Sequence, residues 1–323
     1  MSKTRQEKIL EQDQTLSWNI FLGLIQTVER ILKHERKLAK GKMQNTIPKI
    51  KSNKEFCHFP FVYLPYQGTA IFLGDIHGDS MSIYRVLAQE KFLQKVEKGE
   101  KVYLILLGDY ADRGQEDIRT LSLVLSLKWY YRKNIFLLRG NHEEFNMGQY
   151  YGLLGSCIKE FGYDKGQLVF SRLVRLYERL PGIAITASGI VAVHGGVPVH
   201  NLHSLRDLND EEELTEMRWN DPGEEIDSSV FNYKRGCYYL FGKNIFNRFM
   251  KTIGGKVLIR SHEYTAAGYK LMFDKRLLTI FSNGGKSPES GYKDFILEPR
   301  YVKVDLSKEI NQWTLRHLRK IKY

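Results

Sequence analysis

Five short polar motifs, each directly after an apolar strand-like run, constrain this chain more than any other feature. They are Gly74-Asp75-Ile76-His77-Gly78, Gly108-Asp109-Tyr110-Ala111-Asp112-Arg113-Gly114, Gly140-Asn141-His142-Glu143, His194-Gly195-Gly196 and Arg260-Ser261-His262-Glu263. Loops that follow the strands of an α/β fold meet at one edge of the sheet, so we expect these motifs to converge. They supply oxygen and imidazole ligands without cysteine, a set that suits two divalent ions sharing a carboxylate.

Strand-like and helix-like segments alternate along the chain from Phe61 onward. Short runs rich in Val, Ile and Leu predict strands at Thr69–Gly74, Lys101–Leu107, Ile135–Arg139, Ile190–Val193, Lys256–Arg260 and Leu277–Phe281. Amphipathic patterns predict helices at Ser80–Gln94, Asp117–Tyr131 and Gln167–Arg179. This alternation predicts sheets covered by helices.

The first 54 residues are predicted to form an N-terminal region, and residues 55–323 the main domain. Apolar side chains recur at steps of three or four through residues 1 to about 40, which predicts an amphipathic helix. We expect its apolar face to pack on the main domain, and binding to a membrane surface or a partner helix is the alternative. The basic segment Gly41–Asn53 contains Pro48 and is predicted to be a linker or loop.

Positive charge is concentrated near the N-terminus. The chain has a net charge of +12, and the segment from Arg30 to Lys54 holds nine Lys or Arg residues against one Glu. Such a run is typical of a solvated surface, and it also suits an acidic partner such as a phosphoprotein, a nucleic acid or an anionic lipid. The sequence leaves these alternatives open.

The cysteines and the hydropathy pattern predict a cytoplasmic protein. Cys57, Cys157 and Cys237 are an odd number without the spacing of a metal site, as expected for reduced thiols. The start of the chain lacks the pattern of a secretory signal. A membrane span needs about 18 apolar residues, and no uncharged apolar stretch of this chain is that long. We therefore expect no transmembrane segment.

The carboxylates and histidines of the motifs can be divided between two ions. Asp75 and His77 are two residues apart and can face one ion, and the carboxylate of Asp109 can bridge that ion to a second. His194 and His262 complete the shell of the second ion. A lone histidine after an apolar strand is more typical of a protein core, but chance does not explain five such motifs in order.

The remaining polar residues of the motifs suit phosphate chemistry. Arg113 offers a planar set of donors for phosphate oxygens. Asn141 can give an amide oxygen to a metal and an N–H group to phosphate. His142 is placed to protonate a leaving alkoxide, and Asp112 can orient its ring and raise its pKa.

These motifs resemble those of the phosphoprotein phosphatase family, metal-dependent Ser/Thr phosphatases typified by protein phosphatases 1 and 2A, with bacterial and archaeal relatives. The resemblance spans roughly Ala70 to Val304. Further matching segments are Leu137-Leu138-Arg139, Trp219-Asn220-Asp221-Pro222, Arg235-Gly236, Phe241-Gly242 and Leu278-Thr279-Ile280-Phe281-Ser282. The implied fold is the α+β metallophosphoesterase fold, a central β-sandwich of two mixed sheets flanked by helices with the metals at one edge.

The resemblance also implies a role for each site residue. The implied ligands of one ion are Asp75, His77 and Asp109, and those of the other are Asp109, Asn141, His194 and His262. Arg113, Arg235 and Asn141 would bind phosphate, with His142 as general acid and Asp112 as its partner. The implied cofactors are two divalent ions, foremost Mn²⁺, with Fe, Zn or Co as alternatives.

The activity implied is removal of phosphate from phosphoserine and phosphothreonine in proteins, by direct attack of a metal-bridging hydroxide. One alternative is an enzyme of the same fold acting on dinucleoside polyphosphates or nucleic-acid phosphate esters. Another is a non-catalytic scaffold, which predicts gaps among the ligands. The chain departs from the family at the rim, where Asn283-Gly284-Gly285 replaces Ala-Pro-Asn-Tyr and the next tyrosine is Tyr292.

Overall fold

The computed structural model describes residues 16–38, 44–50, 52–114, 116–208, 210–285, 292, 294–295 and 297–323. The helices are α1 (Trp18–Leu38), α2 (Ser80–Gln89), α3 (Phe92–Glu97), α4 (Asp117–Tyr130), α5 (Phe145–Tyr151), α6 (Leu153–Phe161), α7 (Tyr163–Tyr177), α8 (Glu211–Trp219) and α9 (Lys243–Ile253). Single 3₁₀ turns lie at Ile47–Lys49 and Leu205–Asp207.

The strands form two large mixed sheets and a small one. The strands are β1 (Phe56–His58), β2 (Phe61–Leu64), β3 (Thr69–Leu73), β4 (Val102–Leu106), β5 (Ile135–Leu137), β6 (Ile183–Thr186), β7 (Ile190–Val193), β8 (Asp221–Pro222), β9 (Ser229–Phe231), β10 (Tyr239–Phe241), β11 (Val257–Arg260), β12 (Tyr269–Met272), β13 (Leu277–Ile280), β14 (Arg300–Asp305) and β15 (Leu318–Lys320). Their orders are β1-β2-β6-β7-β11-β13-β12, β15-β14-β3-β4-β5 and β8-β10-β9.

The two large sheets pack face to face, with helices on both outer faces. Side chains such as Phe72 and Ile105 from the five-stranded sheet share one buried cluster with Ala192 and Ile259 from the seven-stranded sheet. The other face of the five-stranded sheet packs on α1, α2, α4, α6 and α7. The other face of the seven-stranded sheet packs on α8 and α9. Every strand at the centre is therefore buried on both faces, which explains its continuous apolar sequence.

The six predicted strands are confirmed as β3, β4, β5, β7, β11 and β13. The single helix predicted at Ser80–Gln94 is wrong, because the chain turns at Lys91, which adopts a left-handed conformation with φ of 49° between α2 and α3. The helix predicted at Gln167–Arg179 begins earlier, at Tyr163. Of the predicted N-terminal helix, residues 1–15 and 39–40 lie outside the described residues, as do residues 41–43 and 51 of the predicted linker.

Helix α1 packs on the main domain, as its apolar stripe predicts. Its buried side chains belong to the same cluster as those of α4 and α7, and they include Phe21, Leu24, Val28 and Leu32. The boundary at residue 54 stays a prediction. Among the described helices, none has the length and apolar character needed to cross a membrane.

Candidate metal centre and active site

The polar motifs meet where the central strands of the two sheets end. Parallel strands β3, β4 and β5 lie side by side, so the loops that follow them open at the same edge. In the other sheet, β7 and β11 are parallel neighbours and bring His194 and His262 together. An isolated bridge between Asp75 and Phe281 connects the two sheets at this edge. The fold thus collects residues that are far apart in sequence.

Five of the residues in these loops have backbones in the left-handed region. The φ angles are 43° at His77, 54° at Asp109, 68° at Asp112, 64° at Arg113 and 72° at His262. Each such conformation costs a non-glycine residue roughly 1 kcal/mol or more. Local hydrogen bonds hold these turns, for example from the His77 N–H to the Asp109 carbonyl at 2.9 Å. Strain that is concentrated in this way is typical of functional sites.

Backbone carbonyls fix the orientation of two histidine rings. Nδ1 of His77 lies 2.9 Å from the Ala111 carbonyl, and Nδ1 of His194 lies 2.9 Å from the Leu107 carbonyl. Because a carbonyl oxygen can only accept, Nδ1 of each ring donates to it, and Nε2 is the nitrogen that is left to face the centre. This is how proteins commonly orient histidines that bind metals.

The carboxylate of Asp109 lies between these two histidines. Its Oδ2 is 3.5 Å from His77 Nε2, and its Oδ1 is 3.3 Å from His194 Nε2. The backbone N–H of His142 donates to Oδ1 at 3.0 Å. Asp109 is therefore the one predicted ligand that faces both groups of ligands, as a bridging carboxylate must.

The donors around His194 fit a cation. Its Nε2 lies 3.0 Å from Asn141 Oδ1 and 3.1 Å from His262 Nδ1, in addition to Asp109. Lone-pair atoms so close together repel one another unless protons or a cation lie between them. His262 Nε2 makes no hydrogen bond within the described chain and lies 3.9 Å from Asp221 Oδ1, which leaves Nδ1 to face the cluster.

Asp75 completes the group around His77. Its Oδ2 lies 3.8 Å from His77 Nε2, and its Oδ1 accepts the backbone N–H of His262 at 3.0 Å. The hydroxyl of Ser261 donates to the same Oδ1. The structure thus brings together all six residues that were predicted to bind metal, and their individual roles as ligands stay predictions.

The protonation states of the buried residues agree with this arrangement. Burial lowers the pKa of His77, with the His142 ring adding to the effect. Burial and the Arg235 guanidinium lower the pKa of His262 in the same way, so both rings are neutral. Burial opposes the charge of Asp109, but the rings of His194 and His142 hold its pKa well below the usual range. Burial disfavours a charged His194 ring, but the neighbouring Asp109 carboxylate outweighs burial and raises the pKa of His194. An ionised Asp109 and the neutral rings of His77 and His262 are in the state that binds metal, whereas His194 releases a proton when a cation binds.

His142 and Asp112 form a buried pair beside the metal ligands. His142 Nδ1 lies 2.8 Å from Asp112 Oδ2, and the other carboxylate oxygen accepts the Leu153 N–H at 2.9 Å. Burial disfavours the charged ring, but Asp109 and Asp112 outweigh it and raise the pKa of His142. Its Nε2 lies 3.4 Å from Arg113 Nη2. Because Nδ1 is engaged by Asp112, Nε2 is the ring nitrogen that is left for other partners.

Both predicted phosphate-binding arginines lie at the centre. The guanidinium of Arg113 lies 4.8 Å from the centre of the Tyr151 ring. Arg235 donates to both oxygens of Asp221 and to the His262 carbonyl, the last at 3.4 Å. Arg235 is therefore fixed by its ion pair with Asp221, whereas the exposed Arg113 contacts the Tyr151 ring.

Asp221 is a residue whose role sequence reasoning missed. Besides Arg235 it accepts hydrogen bonds from Arg260 at 2.8 Å and from Asn232 at 3.0 Å. Burial opposes its charge, but the neighbouring His262 and arginines hold its pKa well below the usual range. Its partners are far apart in the sequence. The only signal for Asp221 in the sequence was its position in the segment Trp219-Asn220-Asp221-Pro222, which resembles the family.

Tyr292 and Glu143 were also not assigned roles. The Tyr292 ring lies 5.6 Å from that of His77 and 5.2 Å from that of Phe281, so a tyrosine does stand beside the centre. Glu143 accepts the backbone N–H groups of Asp109 and Tyr110 at 2.8 and 3.0 Å. It holds the loop that carries the bridging carboxylate. Its position next to His142 was the only signal in the sequence.

Comparison with known proteins places this geometry in a family. The calcineurin-like phosphoesterase family matches residues 68–266, more than half of the chain. The chain belongs to this family. It is 30% identical over 221 residues to a protein phosphatase 2A catalytic subunit of Dictyostelium discoideum, covering 65% of this chain and 67% of that protein. The relationship places the chain among the phosphoprotein phosphatases, which are hydrolases of phosphate esters.

Solved structures show the same fold at lower identity. A protein serine/threonine phosphatase from Saccharomyces cerevisiae, described as similar to human phosphatase PP5, aligns with a TM-score of 0.68 and 21% identity, covering 93% of this chain and 90% of that chain. A cold-active protein-tyrosine phosphatase of a psychrophilic Shewanella aligns with a TM-score of 0.51 and 12% identity, covering 85% and 84%. The predicted metallophosphoesterase fold is confirmed, and with it a centre for divalent metal ions.

Proposed function

We propose that this phosphoesterase removes phosphate from phosphoserine and phosphothreonine side chains of proteins. The observation that carries the proposal is the position of Asp109 between two groups of ligands, with the His142–Asp112 pair alongside. The identity to a protein phosphatase 2A catalytic subunit supports a phosphoprotein as substrate. The scaffold alternative is disfavoured because every predicted ligand is present and faces the centre.

The metal centre is proposed to hold two divalent ions. Asp75, His77 and Asp109 would hold one, and Asp109, Asn141, His194 and His262 the other. When bound, such ions polarise phosphate oxygens and lower the pKa of a coordinated water to near neutrality. Oxygen and imidazole donors without thiolate favour Mn²⁺, with Fe, Zn or Co as alternatives.

The protein itself would bind the phosphate group through two arginines and one amide. Arg113 and Arg235 are always charged and present planar sets of N–H donors to the equatorial oxygens. The amide N–H of Asn141 adds a donor beside them. Asp221 keeps the guanidinium group of Arg235 in place, so that this side chain loses little entropy when substrate binds.

His142 would give a proton to the departing serine or threonine oxygen. Its Nδ1–H donates to Asp112 Oδ2, which leaves a proton on Nε2 of the charged ring as the transferable one. The raised pKa favours the charged ring. Asp112 acts through His142 by fixing its orientation and favouring its charged form.

A direct comparison of substrates tests this proposal. The enzyme with Mn²⁺ would be assayed on one peptide carrying phosphoserine, phosphothreonine or phosphotyrosine, and on a diadenosine polyphosphate. We expect kcat/KM to be at least about tenfold higher on the phosphoserine and phosphothreonine peptides than on the other substrates. Hydrolysis of the dinucleotide without activity on the peptides would support the alternative that acts on nucleotides and would overturn our proposal.

Two further features are also proposed. The buried thiols of Cys57 and Cys157 suit a cytoplasmic protein, which localisation of a fluorescent fusion would test.

The basic segment from residue 30 to 54 suits an acidic partner, since its residues Arg36 and Lys37 are exposed. An Arg36→Glu/Lys37→Glu double variant should bind an acidic phosphopeptide at least about threefold more weakly at low salt. Equal binding would count against an acidic partner.

A further inference from the structure

The loop of residues 282–285 supports the segment that carries Asp75 and His77. The side-chain amide of Asn283 donates to the Ile76 carbonyl at 2.6 Å and to the His77 carbonyl at 3.4 Å. The hydroxyl of Ser282 accepts the Gly74 N–H at 2.8 Å. The position of His77 therefore depends on this loop, although the loop supplies none of the proposed ligands.

The loop is held in turn by the buried carboxylate of Asp79. Its Oδ2 accepts the backbone N–H of Gly284 at 2.8 Å and the hydroxyl of Tyr323 at 3.0 Å. The hydroxyl of Ser82 donates to the same oxygen at 2.8 Å, and the Ser82 N–H donates to Oδ1 at 3.1 Å. Asp79 thus joins the N-terminus of α2, the loop of residues 282–285 and Tyr323.

Tyr323 also packs directly on Gly284. A Cβ atom at position 284 would overlap the hydroxyl and ring of Tyr323, so the tyrosine occupies the space that a side chain would fill. Burial, together with the nearby Asp79 carboxylate, raises the pKa of Tyr323 well above its usual range. Its hydroxyl therefore stays protonated and donates to the carboxylate.

The backbone before Tyr323 is fixed to the rest of the fold. The Ile321 N–H donates to the Pro299 carbonyl at 2.9 Å, and the Lys322 N–H donates to Gln89 Oε1 at 3.0 Å. The side chain of Ile321 is buried. Contacts with Pro299 and with Gln89 of α2 therefore fix the backbone that precedes Tyr323.

We propose that Tyr323 is a positioning residue for the His77 side of the metal centre. Its hydroxyl donates to Asp79 and its ring packs on Gly284. Asp79 in turn accepts the Gly284 N–H and so fixes the loop of residues 282–285. From this loop, Asn283 donates to the carbonyls of Ile76 and His77. Loss of Tyr323 should loosen this loop and weaken metal binding, while the His142–Asp112 pair and the two arginines keep their partners. This inference goes beyond the proposed function and rests on the proposed binding of metal by His77.

The test uses the full chain and two variants that remove different parts of Tyr323. Tyr323→Phe removes the hydroxyl and keeps the ring over Gly284, and Tyr323→Ala removes both. Tyr163→Phe and Tyr163→Ala are the matched controls, because Tyr163 is 65% exposed at the start of α7. Hydrogen–deuterium exchange of residues 281–285 is measured on chelator-treated protein, and Mn²⁺ binding by calorimetry.

We expect faster amide exchange in the loop and weaker Mn²⁺ binding in both Tyr323 variants. Outer partners of a metal site typically change its affinity by about 10–100-fold, and Tyr323 is one contact further away. We therefore expect about 3-fold weaker binding for Tyr323→Phe and about 10-fold for Tyr323→Ala, with kcat restored to within about twofold at saturating Mn²⁺.

Wild-type exchange and wild-type Mn²⁺ affinity in Tyr323→Ala would overturn the proposal. Equal loosening of the loop by the Tyr163 variants would also overturn it, because the effect would then not be specific to Tyr323. The exchange measurement needs no substrate and no metal. A failure of the proposed phosphatase activity would therefore be seen separately from a failure of this inference.

Discussion

The metal centre and the interface of helix α1 differ in the kind of side chain that they bury. At the centre, buried charged and polar side chains such as Asp75, Asp109 and His194 face one another over short distances. At the α1 interface, an apolar stripe that includes Phe21, Leu24 and Val28 packs into the core. A deeply buried cation also lies there: Lys128 donates to both carboxylate oxygens of Glu35 at 2.8 and 3.0 Å and to two backbone carbonyls.

This difference separates function from stability. The centre contains strained backbones and lone pairs that face one another, which lower the stability of the metal-free fold and prepare it for ligands. The α1 interface buries apolar area, which contributes stability, and it pairs Lys128 with Glu35, so that neither charge is buried alone. Substitutions in the two regions should therefore affect different measurements.

Replacing the bridging carboxylate should have the largest effect. Asp109→Asn removes charge from the residue that faces both groups of ligands. Loss of an outer partner of a metal site typically lowers activity by about 10–100-fold, and we expect a larger loss here. Normal Mn²⁺-dependent activity in Asp109→Asn would contradict the bridging role.

The loss of kcat on removing the general acid should increase with the basicity of the leaving group. His142→Asn should lower kcat on an alkyl phosphate or phosphoserine peptide by about 10²–10⁴-fold. On p-nitrophenyl phosphate, whose leaving group needs little protonation, we expect a loss of about tenfold or less. Steady-state kinetics on both substrates checks this prediction, and equal losses would argue against His142 as the acid.

The buried cation at the α1 interface should affect stability alone. Lys128→Met leaves the carboxylate of Glu35 without its partner and should lower the free energy of unfolding by about 3–5 kcal/mol. Activity per folded molecule should stay within about twofold of the wild type. Urea denaturation measures the first quantity and assays at low temperature the second.

A more exposed lysine, on α1 itself, provides the control. Lys33 lies 3.0 Å from Glu29 but its side chain is 51% exposed, so Lys33→Met should cost less than about 1 kcal/mol. If both lysine substitutions had the same small effect, α1 would not be part of the stable core and the comparison would fail.

A buried acid behind the centre should make stability depend on pH. Burial raises the pKa of Asp117 to about 7, with Asp112 adding to the effect. The folded protein then holds a proton that the unfolded chain loses near pH 4, so this group lowers stability as pH rises from about 4 to about 7. Asp117→Asn removes this dependence and should be more stable than the wild type at pH 8 by up to about 4 kcal/mol.

Urea denaturation at pH 5 and pH 8 checks this sign. The exposed residue Asp164 provides the control, because Asp164→Asn should change stability equally at both pH values. A wild-type stability that rose over this range relative to Asp117→Asn would mean that the folded protein favours the ionised carboxylate.

The parts of the fold that the sequence predicted are those set by local patterns. Strands β3, β4 and β7 are buried on both faces, so their sequences are continuous apolar runs, and a polar motif marks where each ends. The break at Lys91 was not predictable in this way. Lysine has no special preference for the left-handed conformation, and the apolar pattern continues across the turn.

The parts that were missed depend on contacts between distant residues. Asp221 and Arg260 are 39 positions apart, and neither is unusual until the fold joins them. Tyr323 is 244 positions from Asp79, and no spacing in the sequence connects them. Ligands that end strands can be read from a sequence, whereas the residues that position them are recognised only in three dimensions.

A shared dinuclear centre is tested most directly by the amount of Mn²⁺ that metal-free protein binds, measured by calorimetry on the wild type and Asp109→Asn. We expect two ions per wild-type chain, as a bridging carboxylate implies, and weakened binding of both in the variant. Binding of fewer than two ions by the wild type, or an unchanged isotherm in Asp109→Asn, would contradict a centre in which Asp109 joins the two ions.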